Sequence, residues 1–125
     1  MSKLRSVLGL IAGVILVLSS GAHTFLGWQA LAAELAKTNA PAGLVTGLEI
    51  GWKWGGVAML VFGVIVTAVF LKRYRGEPVP TFGTALVSVA YIGFGAWALV
   101  HSNYDPFFFI FIAPGVLLAL ASTGR

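Results

Sequence analysis

Four ionisable side chains of this sequence have types and spacings that could do chemistry in an apolar setting. His23 and His101 belong to different apolar segments, and two histidines from different helices can hold a haem iron. Glu49 and Lys53 are four residues apart, which places them on one helix face as an ion pair. Together these residues suit a ligand with a polar head and an apolar body, such as haem, a quinone or a lipid headgroup.

The common catalytic motifs are missing from the sequence. It contains no Walker loop, no GxGxxG, no HExxH, no G-x-S-x-G and no acidic cluster that could hold magnesium. It also has no cysteine, which excludes thiolate nucleophiles, disulfides and thiolate metal sites. Trp52 and Trp97 lie beside the ionisable groups along the chain and complete the candidate ligand-binding set. The sequence therefore points to no catalytic residues and favours a protein that is not an enzyme, and it leaves the metal and the cofactor open, with His23 and His101 as candidate haem ligands.

The elements that must position these residues are membrane helices. Hydrophobic residues make up 58% of the chain and charged residues only 10%, against roughly 25% charged residues in a soluble domain. Four apolar segments lie at about residues 4–28, 43–71, 81–101 and 106–121, and each approaches or exceeds the roughly 20 residues that cross a bilayer core. The sequence predicts an all-α integral membrane four-helix bundle, with residues 1–125 as a single transmembrane domain.

The cations predict the orientation of this bundle. Lys37 and Lys53 fall at one end of the segments, and six cations fall at the other: Lys3, Arg5, Lys72, Arg73, Arg75 and Arg125. The positive-inside rule therefore predicts that both termini are cytoplasmic. Because the net charge of +4 gathers at segment ends, we expect membrane lipids rather than nucleic acid as partners. The stretch "QALAAELAK" predicts a short amphipathic helical extension on the outer side, after the first span.

Counting along the helices places the candidate site at the outer membrane surface. Lys53 lies 19 residues from Lys72, or about 28 Å at 1.5 Å per residue. The same count puts His23 about 27 Å from Arg5 and His101 about 31 Å from Pro80. The ionisable groups thus share one level, which has two interpretations. One is a membrane interface, where Trp and Tyr form an aromatic belt; the other is a shallow pocket open to the outside.

Glycines recur at every fourth position of the second segment. Gly43, Gly47, Gly51 and Gly55 form one ridge on the side of the helix opposite Glu49. Ridges of small residues let helix backbones approach closely and drive helix association in lipid. Two explanations are open: the glycines pack within one compact bundle, or they form an interface with a partner or a second copy.

The first half of the chain resembles a known group of membrane proteins. The stretch "SSGAHTFLGWQALAAELAKTNAPAGLVTGLEIGWKWGGVAMLVFG", residues 19–63, is similar to DoxX-like small four-helix bacterial membrane proteins. The pieces "AHTFLGW" and "GWKWGGVAM" look most like members without an assigned function. The resemblance implies a protein of the bacterial inner membrane that serves as an accessory subunit of membrane redox complexes linked to quinones.

Two functions from different classes follow from these observations. The first is a non-enzymatic accessory or interaction subunit that joins a homo-oligomer or a larger membrane complex through the glycine ridge. The second is a ligand-binding or redox protein that holds a haem, a quinone or a lipid headgroup at the outward-facing polar site.

Overall fold

All regular structure in the computed structural model, which describes residues 2–124, is helical. Helix α1 runs over Lys3–Ala36 and helix α2 over Ala42–Tyr74. Helix α3 spans Phe82–His101, and helix α4 spans Phe109–Ser122 after a 3₁₀ turn at Pro106–Phe108. The predicted all-α class is confirmed, and each helix overlaps one of the four apolar segments, although α1 continues from the end of the first segment to Ala36.

Three helices, α1, α2 and α3, are long and apolar enough to cross a membrane. A crossing needs about 20 apolar residues, so the helices indicate an integral membrane protein. The fourth apolar stretch, Pro106–Ser122, is shorter, and its crossing stays a prediction, as does the cytoplasmic placement of the termini. Arg125, one of the cations behind that placement, lies outside the described residues.

Local capping explains where the helices begin and end. The backbone N–H of Arg5 donates to Ser2 Oγ at 3.3 Å, which caps α1. Asp105 accepts from the N–H of Phe107 at 2.9 Å, and Pro106 follows it as the first helical residue. The turn that follows Asp105 is 3₁₀, and the α-helix begins at Phe109. After α2 the chain turns at Gly76, which has a φ of 87°, a conformation that glycine adopts without strain.

Helix α1 contains a π-helical segment. The chain is α-helical over Lys3–Gly21, π-helical over Ala22–Gly27 and α-helical again over Trp28–Ala36. The extension predicted after the first span is therefore helical and continues α1 without a break. Residues 22–36 contact only the rest of α1 and α2, and they do not contact α3 or α4. Whether the extension lies along the outer membrane surface stays a prediction.

The helices form two antiparallel hairpins of unequal length. Helices α1 and α2 have 34 and 33 residues, whereas α3 has 20. At 1.5 Å per residue, the first hairpin is about 50 Å long and α3 about 30 Å. The first hairpin thus extends well beyond the second at the end away from the termini. We call residues 22–36 and 42–55 the outer extension, where outer means the end of the hairpin away from the chain termini.

Close helix contacts within each hairpin form where one helix presents a glycine. A Cβ at Gly9 would lie 2.2 Å from the Phe70 ring, and one at Gly13 would lie 2.4 Å from Thr67 Oγ1. The second hairpin is built the same way, because a Cβ at Gly115 would lie 2.8 Å from Ile92. Glycine at these positions lets the backbones approach to distances that a side chain would prevent.

The hairpins join through contacts between α1 and α4, and α2 touches α3 only slightly. One apolar core nevertheless takes residues from all four helices: Ala12, Leu16, Val66, Phe70, Val87, Tyr91, Leu118 and Ala121. This core lies in the half of the molecule nearer the chain termini, where the guanidinium of Arg5 packs against Gly124. The π segment and Trp28–Ala36 contain no buried residue. Most of the buried core therefore lies in the half nearer the chain termini, and the outer extension has exposed faces.

Candidate functional site

The π segment positions His23 against α2. A π turn widens the helix by one residue and shifts its hydrogen bonds to i→i+5, and such turns occur often at functional sites. Here the carbonyl oxygen of His23 accepts a hydrogen bond from Trp52 Nε1 at 2.6 Å. Beside it, Thr24 Oγ1 donates to the carbonyl of Ser20 at 2.7 Å. Thr24 also fills the space beside Gly56, where a Cβ would meet its hydroxyl.

His23 and Trp52 are joined by a reciprocal set of contacts. Nε2 of His23 lies 2.9 Å from the carbonyl oxygen of Trp52. Because a carbonyl oxygen only accepts, Nε2 carries the proton and donates. The two rings stack with centroids 4.4 Å apart and planes 6° apart. The two hydrogen bonds and the stack fix both side chains and join α1 to α2 at the base of the outer extension.

An open groove runs along the outer part of α2 beside this pair. Its volume is about 510 Å³, and eight residues line it: His23, Gly43, Leu44, Gly47, Leu48, Gly51, Trp52 and Gly55. All four glycines of the predicted ridge are among them. We call these residues the glycine groove.

The glycines of the groove differ in what they face. A Cβ at Gly43, Gly47 or Gly51 would have no atom of the described chain within 4 Å. A Cβ at Gly55 would lie 3.2 Å from His23 Nε2. Packing within one bundle therefore accounts for Gly55 and leaves the other three glycines uncovered by the chain itself.

Glu49 and Lys53 form the ion pair that their spacing predicts. Lys53 Nζ lies 2.6 Å from Glu49 Oε1, with 48% of the lysine side chain and 39% of the glutamate side chain exposed. Neither residue lines the glycine groove. An exposed pair of this kind contributes at most about 1 kcal/mol to stability. The pair therefore satisfies its own charges, and the structure does not bring it together with His23 as one polar site.

His101 is separated from His23. It is exposed at the end of α3 and stacks on Trp97, with ring centroids 4.8 Å apart. Helix α3 contacts neither Lys3–Gly21 nor the π segment, and His23 uses Nε2 to bind Trp52. His23 Nε2 is therefore engaged with α2, and His101 lies on a helix that does not pack against the part of α1 carrying His23. Within residues 2–124 no group of three or more His, Cys, Asp or Glu is placed to hold a metal ion.

Sequence reasoning missed two residues of the groove, Leu44 and Leu48. The signal was present, because each follows a glycine of the ridge, as Trp52 does. A residue one position after each glycine forms a second ridge that runs beside the first. The groove is thus a glycine ridge flanked by a ridge of large apolar side chains.

No family model, no curated protein and no solved structure matches this chain.

Proposed function

We propose that the protein is a non-enzymatic membrane subunit that assembles with another helix through the glycine groove. The observation that carries this proposal is the empty space at Gly43, Gly47 and Gly51, which meet no atom of their own chain within 4 Å. Gly9, Gly13 and Gly115, by contrast, contact a facing helix of their own hairpin. The glycine surface on the outer part of α2 is therefore available to a helix from another polypeptide.

The groove suits an apolar helix in both shape and polarity. Its glycine floor permits close backbone approach, and close approach gives the dispersion contacts that drive helix association in lipid. Its flanking side chains are substantially exposed, with 55% of Leu44 and 40% of Leu48 accessible. A helix seated on the glycines would cover both leucines, and it would gain contacts with the side chain of Trp52.

A second copy of the chain is the occupant that we propose. The groove lies on the outer extension, which projects beyond α3, so a partner helix must also reach this height. The chain's own α2 does so, because it is 33 residues long. Two copies in one membrane share an orientation, and a two-fold axis along the membrane normal would place the two glycine ridges face to face. The same surface would then serve both copies.

The assembly can be tested by blocking the groove. We expect Gly47→Ile and Gly51→Ile to abolish the dimer, because an isoleucine side chain would hold the two backbones apart. A Cβ at either position has no facing atom within 4 Å, so we expect the fold to survive, and circular dichroism of each variant checks this. The measurement is the mass of the purified protein in detergent by light scattering, together with chemical crosslinking in membranes.

Matched controls are available on α3. Gly83 and Gly93 also have no atom within 4 Å of a Cβ, but they lie outside the groove, and we expect Gly83→Ile and Gly93→Ile to stay dimeric. A wild-type protein that is monomeric and free of other polypeptides would refute the proposal. A different polypeptide that copurifies, and is lost on Gly51→Ile, would support an accessory subunit and exclude the second copy as occupant.

The placement of the subunit is part of the proposal. We propose that it resides in a bacterial inner membrane with both termini in the cytoplasm, and the supporting observation is the gathering of cations at the end that carries both termini. The likeness of residues 19–63 to DoxX-like proteins supports an accessory role in the same membrane.

A second candidate function is the binding of an apolar molecule with a polar head, such as a quinone, in the glycine groove. It is favoured by His23, which lines the groove and uses only Nε2 for hydrogen bonding within the described chain. Mass spectrometry of lipids extracted from the purified protein tests it. A stoichiometric quinone that is lost on Gly51→Ile would support this function, and its absence from the wild-type protein would contradict it.

A further inference from the structure

Five cations meet at the end of the first hairpin that lies beside the chain termini. Lys3 and Arg5 are in the first turn of α1, and Lys72, Arg73 and Arg75 are at the end of α2. The antiparallel packing of the two helices brings these groups together, since Lys3 Nζ lies 5.9 Å from the centre of the Tyr74 ring. We call these five residues the basic end.

The basic end is not neutralised by the rest of the described chain. None of its five cations forms an ion pair with an acid of residues 2–124, and Glu77 is the one acid in the adjoining loop. The cations at the opposite end behave differently. Lys37 lies 2.9 Å from Glu34, and Lys53 lies 2.6 Å from Glu49. The cations of the basic end are therefore available to attract an anionic ligand, whereas the lysines at the opposite end of the hairpin are already paired with acids.

The cations of the basic end divide into anchored and exposed groups. Arg73 donates from Nη1 to the carbonyl oxygen of Val79, which ties down the loop after α2, and Arg5 packs against Gly124. Lys3, Lys72 and Arg75 are exposed. The contacts of Arg73 and Arg5 hold this end of the hairpin in place, and the three exposed cations form a surface that attracts phosphate groups.

The neighbours of these cations are apolar. Leu4 follows Lys3 and is 68% exposed, and Leu71 precedes Lys72 and is 38% exposed. Both leucines lie in helices that are apolar enough to cross a membrane, so the cations beside them lie where lipid headgroups meet acyl chains. A phospholipid would place its phosphate on the cations and its acyl chains along the leucines, so that charge and apolar surface are matched by one molecule.

We infer that the basic end is a binding site for anionic phospholipids. The phosphates of anionic lipids contact the exposed Lys3, Lys72 and Arg75, and their acyl chains pack along the lipid-facing sides of α1 and α2 beside Leu4 and Leu71. The site is separate from the glycine groove, which lies at the opposite end of the same helices. Lipid binding therefore does not depend on the assembly through that groove.

The probe for this site is phosphatidylglycerol, with phosphatidylcholine as the neutral comparison. Native mass spectrometry of the protein with a mixture of the two lipids should show preferential retention of phosphatidylglycerol. Each cation near a membrane surface contributes a factor of about fivefold to binding, so Lys3→Gln with Lys72→Gln and Arg75→Gln should weaken that binding on the order of 100-fold. Glutamine keeps much of the apolar stem, so the fold should persist.

The opposite end of the hairpin supplies the matched control. Lys37→Gln with Lys53→Gln should leave the retention of phosphatidylglycerol unchanged, because these lysines are already paired with acids. Inorganic phosphate at the same concentration should not displace the lipid. Equal retention of the two lipids by the wild-type protein would overturn the inference, as would displacement by inorganic phosphate or an equal loss in the control variant.

Discussion

His23 and Trp52 bind each other through two hydrogen bonds and a ring stack. Counting residues along the two helices predicts that both lie at one level, and their direct contact agrees with this; that the level is at the outer membrane surface stays a prediction. The contact itself could not be predicted from the sequence. The contact depends on the π turn at Ala22–Gly27, where the carbonyl oxygen of His23 accepts a hydrogen bond from the Trp52 side chain of α2. The spacing of apolar residues along a helix does not reveal such a turn.

Replacement of Trp52 by phenylalanine tests the strength of this contact. Trp52→Phe keeps an aromatic ring to stack on His23 but removes the Nε1–H that binds the His23 carbonyl. We expect a loss of about 1 kcal/mol in the free energy of unfolding, the usual net value of one hydrogen bond. Denaturant titration in detergent micelles, followed by circular dichroism, measures it.

Trp97 provides the control for this substitution. It also stacks on a histidine, His101, but it is 57% exposed and no described residue accepts a hydrogen bond from its indole. Trp97→Phe should therefore leave the stability nearly unchanged. An equal loss in the two variants would mean that the hydrogen bond to His23 contributes nothing.

Helix α2 is an element with two glycine faces, and they serve different purposes. Gly56 and Gly63 are buried against α1, whereas Gly43, Gly47 and Gly51 are open. The four-residue spacing of the open face is readable in the sequence, and so is its use for helix packing. Which face the chain covers itself is a property of tertiary packing, because it depends on the side of α2 against which α1 lies.

Alanine substitutions distinguish covered glycines from open ones. Gly13→Ala places a methyl group 2.4 Å from Thr67 Oγ1 and 2.9 Å from the Thr67 backbone nitrogen. Overpacking of this kind costs about 1–3 kcal/mol, so α1 and α2 should separate more easily. Gly93→Ala meets nothing within 4 Å and should gain up to about 1 kcal/mol from helix propensity. Thermal unfolding should show shifts of opposite sign, and a destabilised Gly93→Ala would contradict this reasoning.

The whole molecule consists of a long hairpin beside a short one. Composition and the four apolar runs predict the helical class and the approximate helix positions, because length and hydropathy are strong local signals. They do not predict that α1 runs on to Ala36 as a single helix with 34 residues. The polar stretch "QALAAELAK" predicts an amphipathic helical extension after the first span, and in the structure this stretch continues α1 and contacts α2.

The absence of native cysteine allows the orientation of the hairpins to be tested directly. Single variants Thr38→Cys and Ser102→Cys should react with a membrane-impermeant maleimide on the outside of intact cells. Glu77→Cys should react only after the membrane is opened, since it follows the cations that the positive-inside rule places in the cytoplasm. The reverse pattern would show that the termini are outside.

The π turn in α1 has a consequence for changes in chain length. A π turn holds one residue more than the α turn it replaces, so deletion of a single residue there could be absorbed as a regular α turn. The π turn and the α turn each complete about one revolution, so Trp28 and the residues after it would keep nearly the same face toward α2. A deletion in a regular α-helical part of α1 would instead rotate everything beyond it by about 100°. The π turn is therefore a place where α1 tolerates the loss of a residue without misaligning the outer extension with its neighbour.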